Sequence, residues 1–434
     1  MAVGFVVTGA VVAAVVHSYL WWRLVRGTTR PGGRMRRVLT WCLIVLGVLV
    51  PLSMGLQRLI AGSWPAWPGY MWIAIMFYLA VYLVLLEIPR AVAGLVLRRG
   101  VQTVAAVPAP AVPATVGAAT TATAATAATA ATAPTAPTAP AAPVAPPEPP
   151  TRADGMDRRL FLGRTAAAVA GVGALATVGY GMRSALGDPV IERVAVTLPK
   201  LDPRMDGLRF AVVSDIHIGP LTGRAHTERI VRMINELEAD VVAIVGDMVD
   251  GTVAELGSQA RPLRSLESRY GAYFVTGNHE YYTPNGATEW IEEVRDLGVR
   301  PLQNERVEIA HGGAVLDLAG VNDLGGAAQG QGPDFAAALG GRDTARPAVL
   351  LAHQPRQIAE AARHGIDLQL SGHTHGGQMV PFNLVVPLQQ PVVRGLATVD
   401  GTPIYVTRGA GYWGPPVRVG APPEITMLSV HAPR

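Results

Sequence analysis

The stretch VVAIVGDMVDG, residues 241–251, decides how the second half of this chain folds. Its first five residues are apolar, and four of them are β-branched. That composition reads as a short strand buried on both faces. A glycine follows, where the backbone can turn sharply. Two carboxylates, Asp247 and Asp250, come directly after it. In open α/β sheets, ligands gather outside the carboxyl ends of the strands. The stretch therefore reads as a strand delivering acidic side chains to a site.

The same arrangement recurs on both sides of it. Residues 208–214, LRFAVVS, form a β-rich run that leads into Asp215 and His217. Residues 273–276 lead into Gly277, Asn278, His279 and Glu280. Residues 348–352 lead into His353, and residues 368–370 lead into SGHTHGGQ with His373 and His375. Between these runs, residues 228–237 carry Ile230, Val231, Ile234 and Leu237 at helical spacing, and residues 289–297 read as a second helix. Strand, helix and strand alternate, which predicts a largely wound α/β sheet with helices outside. Alternate side chains point the same way in Asp215-x-His217 and His373-x-His375. Each cluster alone has an ordinary explanation, such as a turn, a helix cap or a satisfied core histidine. Five in this order, each after a β-type run, point to a metal site. Five of the ten histidines lie in the clusters; His17, His226, His311, His364 and His431 are scattered and read as surface, membrane or core residues.

Composition narrows the chemistry. The only cysteine, Cys42, lies in an apolar run, so thiolate metal clusters and intrachain disulfides are excluded. No G-x-S-x-G elbow and no Walker-type phosphate loop occurs. Hydrophobic residues make up 50% of the 434 and charged residues only 16%, with mean hydropathy +0.28. This balance fits membrane segments joined to a soluble domain. The formal charge is only +4, and arginines cluster beside apolar runs, so a membrane-flanking role fits them better than a nucleic-acid patch.

Residues 3–22, 38–56 and 70–88 are apolar runs of the length a helical span requires. Pro51 sits in the second and Glu87 at the edge of the third. The loop after the first run holds Arg23, Arg26, Arg30, Arg34, Arg36 and Arg37, the second loop only Arg58, and Arg90, Arg98 and Arg99 follow the third run. The positive-inside rule then puts the first loop and the chain beyond residue 90 inside. Residues 104–150 are Ala/Thr/Pro-rich and read as a disordered linker. Residues 156–186, MDRRLFLGRTAAAVAGVGALATVGYGMRSAL, resemble an internal twin-arginine export signal that serves as a fourth anchor. No convincing A-x-A cleavage site follows, so a retained anchor is expected, with everything after Arg183 outside. The expected organisation is a three-span region (1–99), a linker (100–156), the signal-like anchor (157–186) and a catalytic domain (187–434).

The ordered set D-x-H, G-D-x-x-D, G-N-H-E, H and G-H-x-H resembles the calcineurin-like metallophosphoesterase superfamily, and GHTHGGQ is similar to its membrane-associated bacterial branch. The resemblance covers residues 190–434 and leaves out the first three spans and the linker. It implies a four-layer α/β sandwich holding two divalent metals, Mn, Fe or Zn. Asp215, His217 and His375 would hold the first metal and Asn278, His353 and His373 the second, with Asp247 bridging. His279 would contact phosphate or act as general acid, and Asn278 would also face the substrate. Every position of the pattern is filled. Asp250 is expected to support ligands or cap a helix. Imidazole, amide and carboxylate ligands suit those metals better than an all-oxygen calcium cage.

Tyr281, Tyr282, Asn322, Asp323, Arg408, Trp413 and Arg418 are weaker candidates for the pocket border. The expected function is a membrane-anchored phosphohydrolase, cleaving phosphodiester or pyrophosphate bonds in lipid or envelope-related substrates on the extracytoplasmic side. No nucleic-acid partner is expected. The alternatives are a phosphomonoesterase or nucleotide hydrolase, and a non-catalytic membrane sensor or scaffold.

Overall fold

The computed structural model describes residues 2–59, 65–102, 158–283 and 285–434. The expected linker lies, from residue 103 onward, outside the described residues. Helices α1 (Ala2–Leu20), α2 (Arg34–Leu59), α3 (Trp67–Gln102) and α4 (Arg158–Leu186) make up the N-terminal part. Among the described residues, three stretches are long and apolar enough to cross a membrane: Arg34–Leu56, Trp67–Val92 and Leu160–Leu186. Pro51 and Pro89 both lie inside helices, and α3 continues well past the run read from sequence.

The helices pack on one another through a shared apolar cluster. Leu20, Trp72, Tyr78, Leu79 and Leu83 meet Ala170, Ala174 and Val178, the small residues of α4 letting α3 approach closely. The Tyr82 hydroxyl lies 2.7 Å from Thr177 Oγ1. Arg23 pairs with Glu87 at 2.5 Å, which neutralises the charge at the edge of the third run. Arg164 Nε donates to the Thr28 carbonyl at 3.1 Å, so the basic loop after α1 meets the start of α4.

The remaining elements alternate as the sequence suggests. They are β1 (Val190–Thr197), β2 (Leu208–Val213), α5 (Gly223–Asn235), β3 (Val241–Val245), α6 (Val253–Ala260), β4 (Ala272–Val275), α7 (Thr288–Asp296), β5 (Arg300–Pro301), β6 (Glu305–His311), β7 (Ala314–Gly320), α8 (Phe335–Leu339), β8 (Ala348–Leu351), α9 (Ile358–Arg363), β9 (Leu368–Ser371), β10 (Gly395–Val399), β11 (Thr402–Val406) and β12 (Glu424–His431). They form two six-stranded sheets, ordered β1-β12-β2-β3-β4-β5 and β10-β11-β9-β8-β7-β6. Strand–helix alternation alone predicts one wound sheet. The second sheet arises because the chain turns at β6–β7, an antiparallel pair, before resuming parallel β8 and β9.

The period-two pattern explains the layers. In β2, Leu208, Phe210 and Val212 enter the core between the sheets, while Ala211 and Val213 face the helices. In β3, Val241, Ala243 and Val245 point inward between the sheets and Val242 and Ile244 outward. Val349, Leu351, Leu368 and Leu370 of the second sheet meet the same central core, and Leu350 packs outward with Phe335, Leu339 and Ile358. The result is helix, sheet, sheet, helix: the four-layer sandwich. Strands β2, β3 and β4 are parallel neighbours, as are β8 and β9, so the five strand exits open toward one edge of the sandwich.

The helical part is not merely tethered to this sandwich. The Arg418 amide donates to the Gly181 carbonyl of α4 at 2.9 Å, and Val417 and Met379 are buried in the helix cluster. A methyl added at Gly181 would stand 2.5 Å from Val417 Cγ1, so only a glycine allows this approach.

Candidate metal centre

The exits of β3 and β9 pass directly into closely packed glycines. Gly246 has φ 78° and is packed so that a Cβ would meet His353 Nδ1 at 2.6 Å. Gly372 needs its missing side chain for another reason: a Cβ there would strike Ser214 and Asp215. The polar residues that follow are held in an unusual conformation. Asp215, His217, Asp247, His373 and His375 all have positive φ, from 47° to 72°. Left-handed backbone costs a non-glycine residue about 1–3 kcal/mol and persists only where its surroundings force it. Five such residues at one place mark a strained, functionally shaped site.

The side chains converge into three groups whose potential ligand atoms lie within 4.8 Å of one another: Asp215, His217 and His375; Asp247, His353 and His373; and His217, Asp247 and His279. His375 Nε2 is 3.3 Å from Asp215 Oδ1 and 3.1 Å from His217 Nε2. His353 Nε2 is 3.1 Å from Asp247 Oδ2. The rings of His353 and His373 lie edge to face, their centroids 5.1 Å apart. Asn278 is buried beside them, with Nδ2 donating to the Tyr282 hydroxyl at 3.0 Å.

The hydrogen bonds behind these residues fix which nitrogen faces the centre. His353 Nδ1 can only donate to the Val245 carbonyl, 2.8 Å away, so Nε2 faces Asp247. His217 Nδ1 donates to Asp250 Oδ1 at 2.8 Å, so its Nε2 faces Asp215 and His375. Neither His353 Nε2 nor Asn278 Oδ1 has a well-formed hydrogen bond among the described residues, although both are buried. Lone pairs aimed inward without a donor, beside two carboxylates, are what a pair of cations would require. The donor set fits such ions.

Electrostatics sort the group. Burial pushes His373 down to about 3, and burial with His217 and Arg418 nearby keeps His375 well below its ordinary value, so both stay neutral. Asp215 is pushed up by burial. Asp247 is held well below the usual carboxylate range, because His353 and His279 outweigh its burial. His279 is the reverse case. Burial alone would lower it, but Asp247 and the Asp250 hydrogen bond raise it to about 9. Its Nδ1 lies 2.7 Å from Asp250 Oδ1, and its Nε2 3.9 Å from Asp247 Oδ2.

The weaker candidates divide. Tyr282 and Trp413 flank His279, with centroids 4.8 and 6.0 Å from its ring, and both are exposed at the mouth. Tyr281 and Asp323 are buried, and Asp323 accepts from Gly325 and Gln354, so neither borders the pocket. Asn322 is buried too, its amide tied to the Gln331 carbonyl. Arg418 does not reach a phosphate: it is fully buried, donating to the carbonyls of Gly411, His375 and Arg408, with NH2 3.1 Å from His375 Nδ1. Arg408 is engaged with Glu192 and Glu424. Asp250 buttresses two histidines at once.

Sequence reading placed Glu280 in the third cluster but gave it no role. Its buried carboxylate accepts from the amides of Asp247, Met248, Val249 and Gly277, at 3.2, 2.8, 3.3 and 2.6 Å. It ties the exits of β3 and β4 together. The available signal was an acidic residue beside the histidine in GNHE, with no surface role for its charge.

Comparison with known proteins accounts for this arrangement. The calcineurin-like phosphoesterase family matches residues 208–377. A Danio rerio protein described as a transmembrane protein with metallophosphoesterase domain is 41% identical over 258 residues, 57% of this chain and 59% of that protein. An uncharacterized metallophosphoesterase of Helicobacter pylori is 41% identical over 260 residues, 58% of this chain and 68% of its own length. The chain belongs to the calcineurin-like metallophosphoesterases. It spans 59% of the length of the vertebrate relatives it matches. Among solved structures, the phosphopantetheinyl hydrolase of Mycobacterium tuberculosis gives a TM-score of 0.32 at 14% identity, covering 48% of this chain and 91% of that one.

Proposed function

We propose that this protein is a membrane-anchored phosphohydrolase that depends on two divalent metal ions. One observation carries the reading: the Asp215–His217–His375 group and the Asp247–His353–His373 group adjoin, with Asp247 between them and His279 at the rim. Asp215, His217 and His375 would hold one ion, Asn278, His353 and His373 the other, and Asp247 both. A pair of such ions supplies Lewis acidity toward phosphoryl oxygens and makes water a competent nucleophile.

The chain's own residues do the rest. Asp250 holds His279 through Nδ1, leaving Nε2 free to carry a proton toward a departing oxygen. The Asp250 carboxylate at Nδ1 favours the protonated ring. Tyr282 and Trp413 form apolar walls on either side and direct the leaving group to His279. The anchoring helices favour phosphodiester or pyrophosphate bonds in lipid or envelope-related substrates, on the extracytoplasmic face.

The test uses the full chain in nanodiscs, stripped of metal and reloaded with Mn²⁺, Fe²⁺ or Zn²⁺. Bis(4-nitrophenyl) phosphate and 4-nitrophenyl phosphate serve as diester and monoester. The expected result is metal-restored turnover, faster on the diester, that Asp247→Asn lacks while binding less metal. Faster turnover of the monoester would favour the phosphomonoesterase alternative. Two bound metals without turnover on either compound would favour a scaffold.

A further inference from the structure

Residues 380–388, VPFNLVVPL, begin five residues after His375 and serve none of the roles described above. No charged residue occurs from residue 376 to 393. The segment makes two short 3-10 turns, Phe382–Leu384 and Val386–Leu388, and neither contains a buried residue. Val380, Phe382, Leu384, Val385 and Leu388 are all exposed, Leu384 by 72% and Leu388 by 83%. The other large apolar side chains exposed on the sandwich, among the described residues, are Val190, Leu396 and the pair Tyr282 and Trp413 beside His279. An exposed apolar patch this concentrated marks an interaction surface.

Its position identifies the occupant. Met379, the residue before the segment, is buried in the cluster formed by the four N-terminal helices. Gly420 lies against Val380, next to Val417 and Val419, which pack into the same cluster. The patch is thus continuous with the helices that carry the chain's lipid-facing residues. It is also continuous with the site. Gln378 exchanges hydrogen bonds with Trp413 at 2.9 and 3.0 Å, and Trp413 packs on His279. The Tyr70 ring, at the start of α3, lies 3.7 Å from where a Cβ on Gly414 would stand. The first turn of α3, the end of α4, the apolar segment and the mouth of the site therefore share one level of the molecule. Aromatic and apolar residues at the end of a membrane helix occupy the bilayer interface.

We infer that residues 380–388 seat in the interface of the bilayer that the helices span, and that they hold the mouth of the metal centre against it. The substrate class that follows is a phosphate-bearing amphiphile, whose headgroup enters the site while its chains stay in the bilayer. This part rests on the phosphohydrolase reading; the seating of the segment does not.

Site-directed spin labelling of the full chain in phosphatidylcholine–phosphatidylglycerol nanodiscs separates the two. With Cys42→Ser as background, single cysteines are placed by Leu384→Cys, Leu388→Cys and, as a control on β10, Leu396→Cys. Labels at 384 and 388 are expected to be relaxed more by oxygen than by a water-soluble nickel chelate, and the label at 396 the reverse. Water-like exposure at all three sites overturns the inference. So does dipolar coupling between labels at 384, which would assign the patch to a second copy of the chain. The second arm compares 4-nitrophenyl hexadecyl phosphate, carried in the nanodiscs, with 4-nitrophenyl methyl phosphate. Leu384→Asp/Leu388→Asp should lower kcat/KM for the long-chain diester by about tenfold or more and leave the methyl diester unchanged. Equal effects on both overturn the substrate class. Wild-type inactivity on both would defeat the phosphohydrolase reading and the substrate class with it, while the label depths would still decide where the segment sits.

Discussion

At the scale of single residues, one carboxylate oxygen coordinates much of the site. Asp250 Oδ1 serves both His217 Nδ1 and His279 Nδ1, so it would orient the proposed ligand and the proposed proton donor together. The two roles are separable by mutation. His279→Ala removes the donor and leaves the ligand groups intact. The expected cost is about 10²- to 10⁴-fold in kcat on the nitrophenyl diester, with bound metal and melting temperature unchanged. Asp250→Asn should instead reduce both metal affinity and kcat, each about 10–100-fold, because an amide no longer fixes the His217 tautomer. Metal content by mass spectrometry beside kcat tells the cases apart. If His279→Ala also emptied the site, it would be a ligand rather than a proton donor. All the proposed ligands except the backbone geometry around them were legible in the sequence, since each follows a β-type run. Glu280 and Arg418 were not legible in their actual roles, because a buried charge that holds backbone amides or carbonyls leaves no periodic or spacing signature.

At the scale of elements, short apolar runs gave β2, β3, β4, β8 and β9 to within a residue or so. These are buried on both faces, so nearly every residue is apolar. The other seven strands went unread: β1, β6 and β10 alternate between more and less exposed residues at the sheet edges, β5 is two residues long, and the buried runs of β7, β11 and β12 are interrupted by Asp317, Pro403, Glu424 and Thr426. Helix α5 shows what an amphipathic face conceals. His226 lies on its buried side, with Nε2 3.3 Å from the Ile216 carbonyl and Nδ1 3.1 Å from Arg229. Burial and the Arg229 cation lower it from 6.5 to about 4. Its folded value is below its unfolded value, so the unfolded chain takes up the proton first. The stability it confers is complete above pH 6.5 and is lost as pH falls toward 4. The loss amounts to about 3 kcal/mol across that window. His226→Gln should remove this slope. Thermal melts at pH 7, 5.5 and 4.5 would then show the gap between wild type and variant narrowing as pH drops. A gap independent of pH would mean that folding leaves the His226 pKa unshifted.

At the scale of the whole molecule, the four helices alternate in direction, and this bears on sidedness. The basic loop meets the start of α4 through Arg164 and Thr28, whereas the start of α3 and the end of α4 meet the sandwich through Tyr70 and Gly181. The arginines and the metal centre therefore lie at opposite ends of the helical part. Arginine-rich loops stay on the cytoplasmic side of the membrane, so the sandwich should be extracytoplasmic. In the Cys42→Ser background, a cysteine from Arg434→Cys should react with a membrane-impermeant maleimide in intact spheroplasts. One from Arg34→Cys should react only after lysis. Arg158→Lys with Arg159→Lys should leave residue 434 unreactive in intact spheroplasts if that pair is read as an export signal, and reactive if α4 inserts simply as an apolar span. Labelling of residue 34 but not 434 before lysis would invert the molecule. The metal centre would then face the cytoplasmic leaflet, still level with the bilayer surface, because the contacts of α3 and α4 with the sandwich do not depend on which side it occupies.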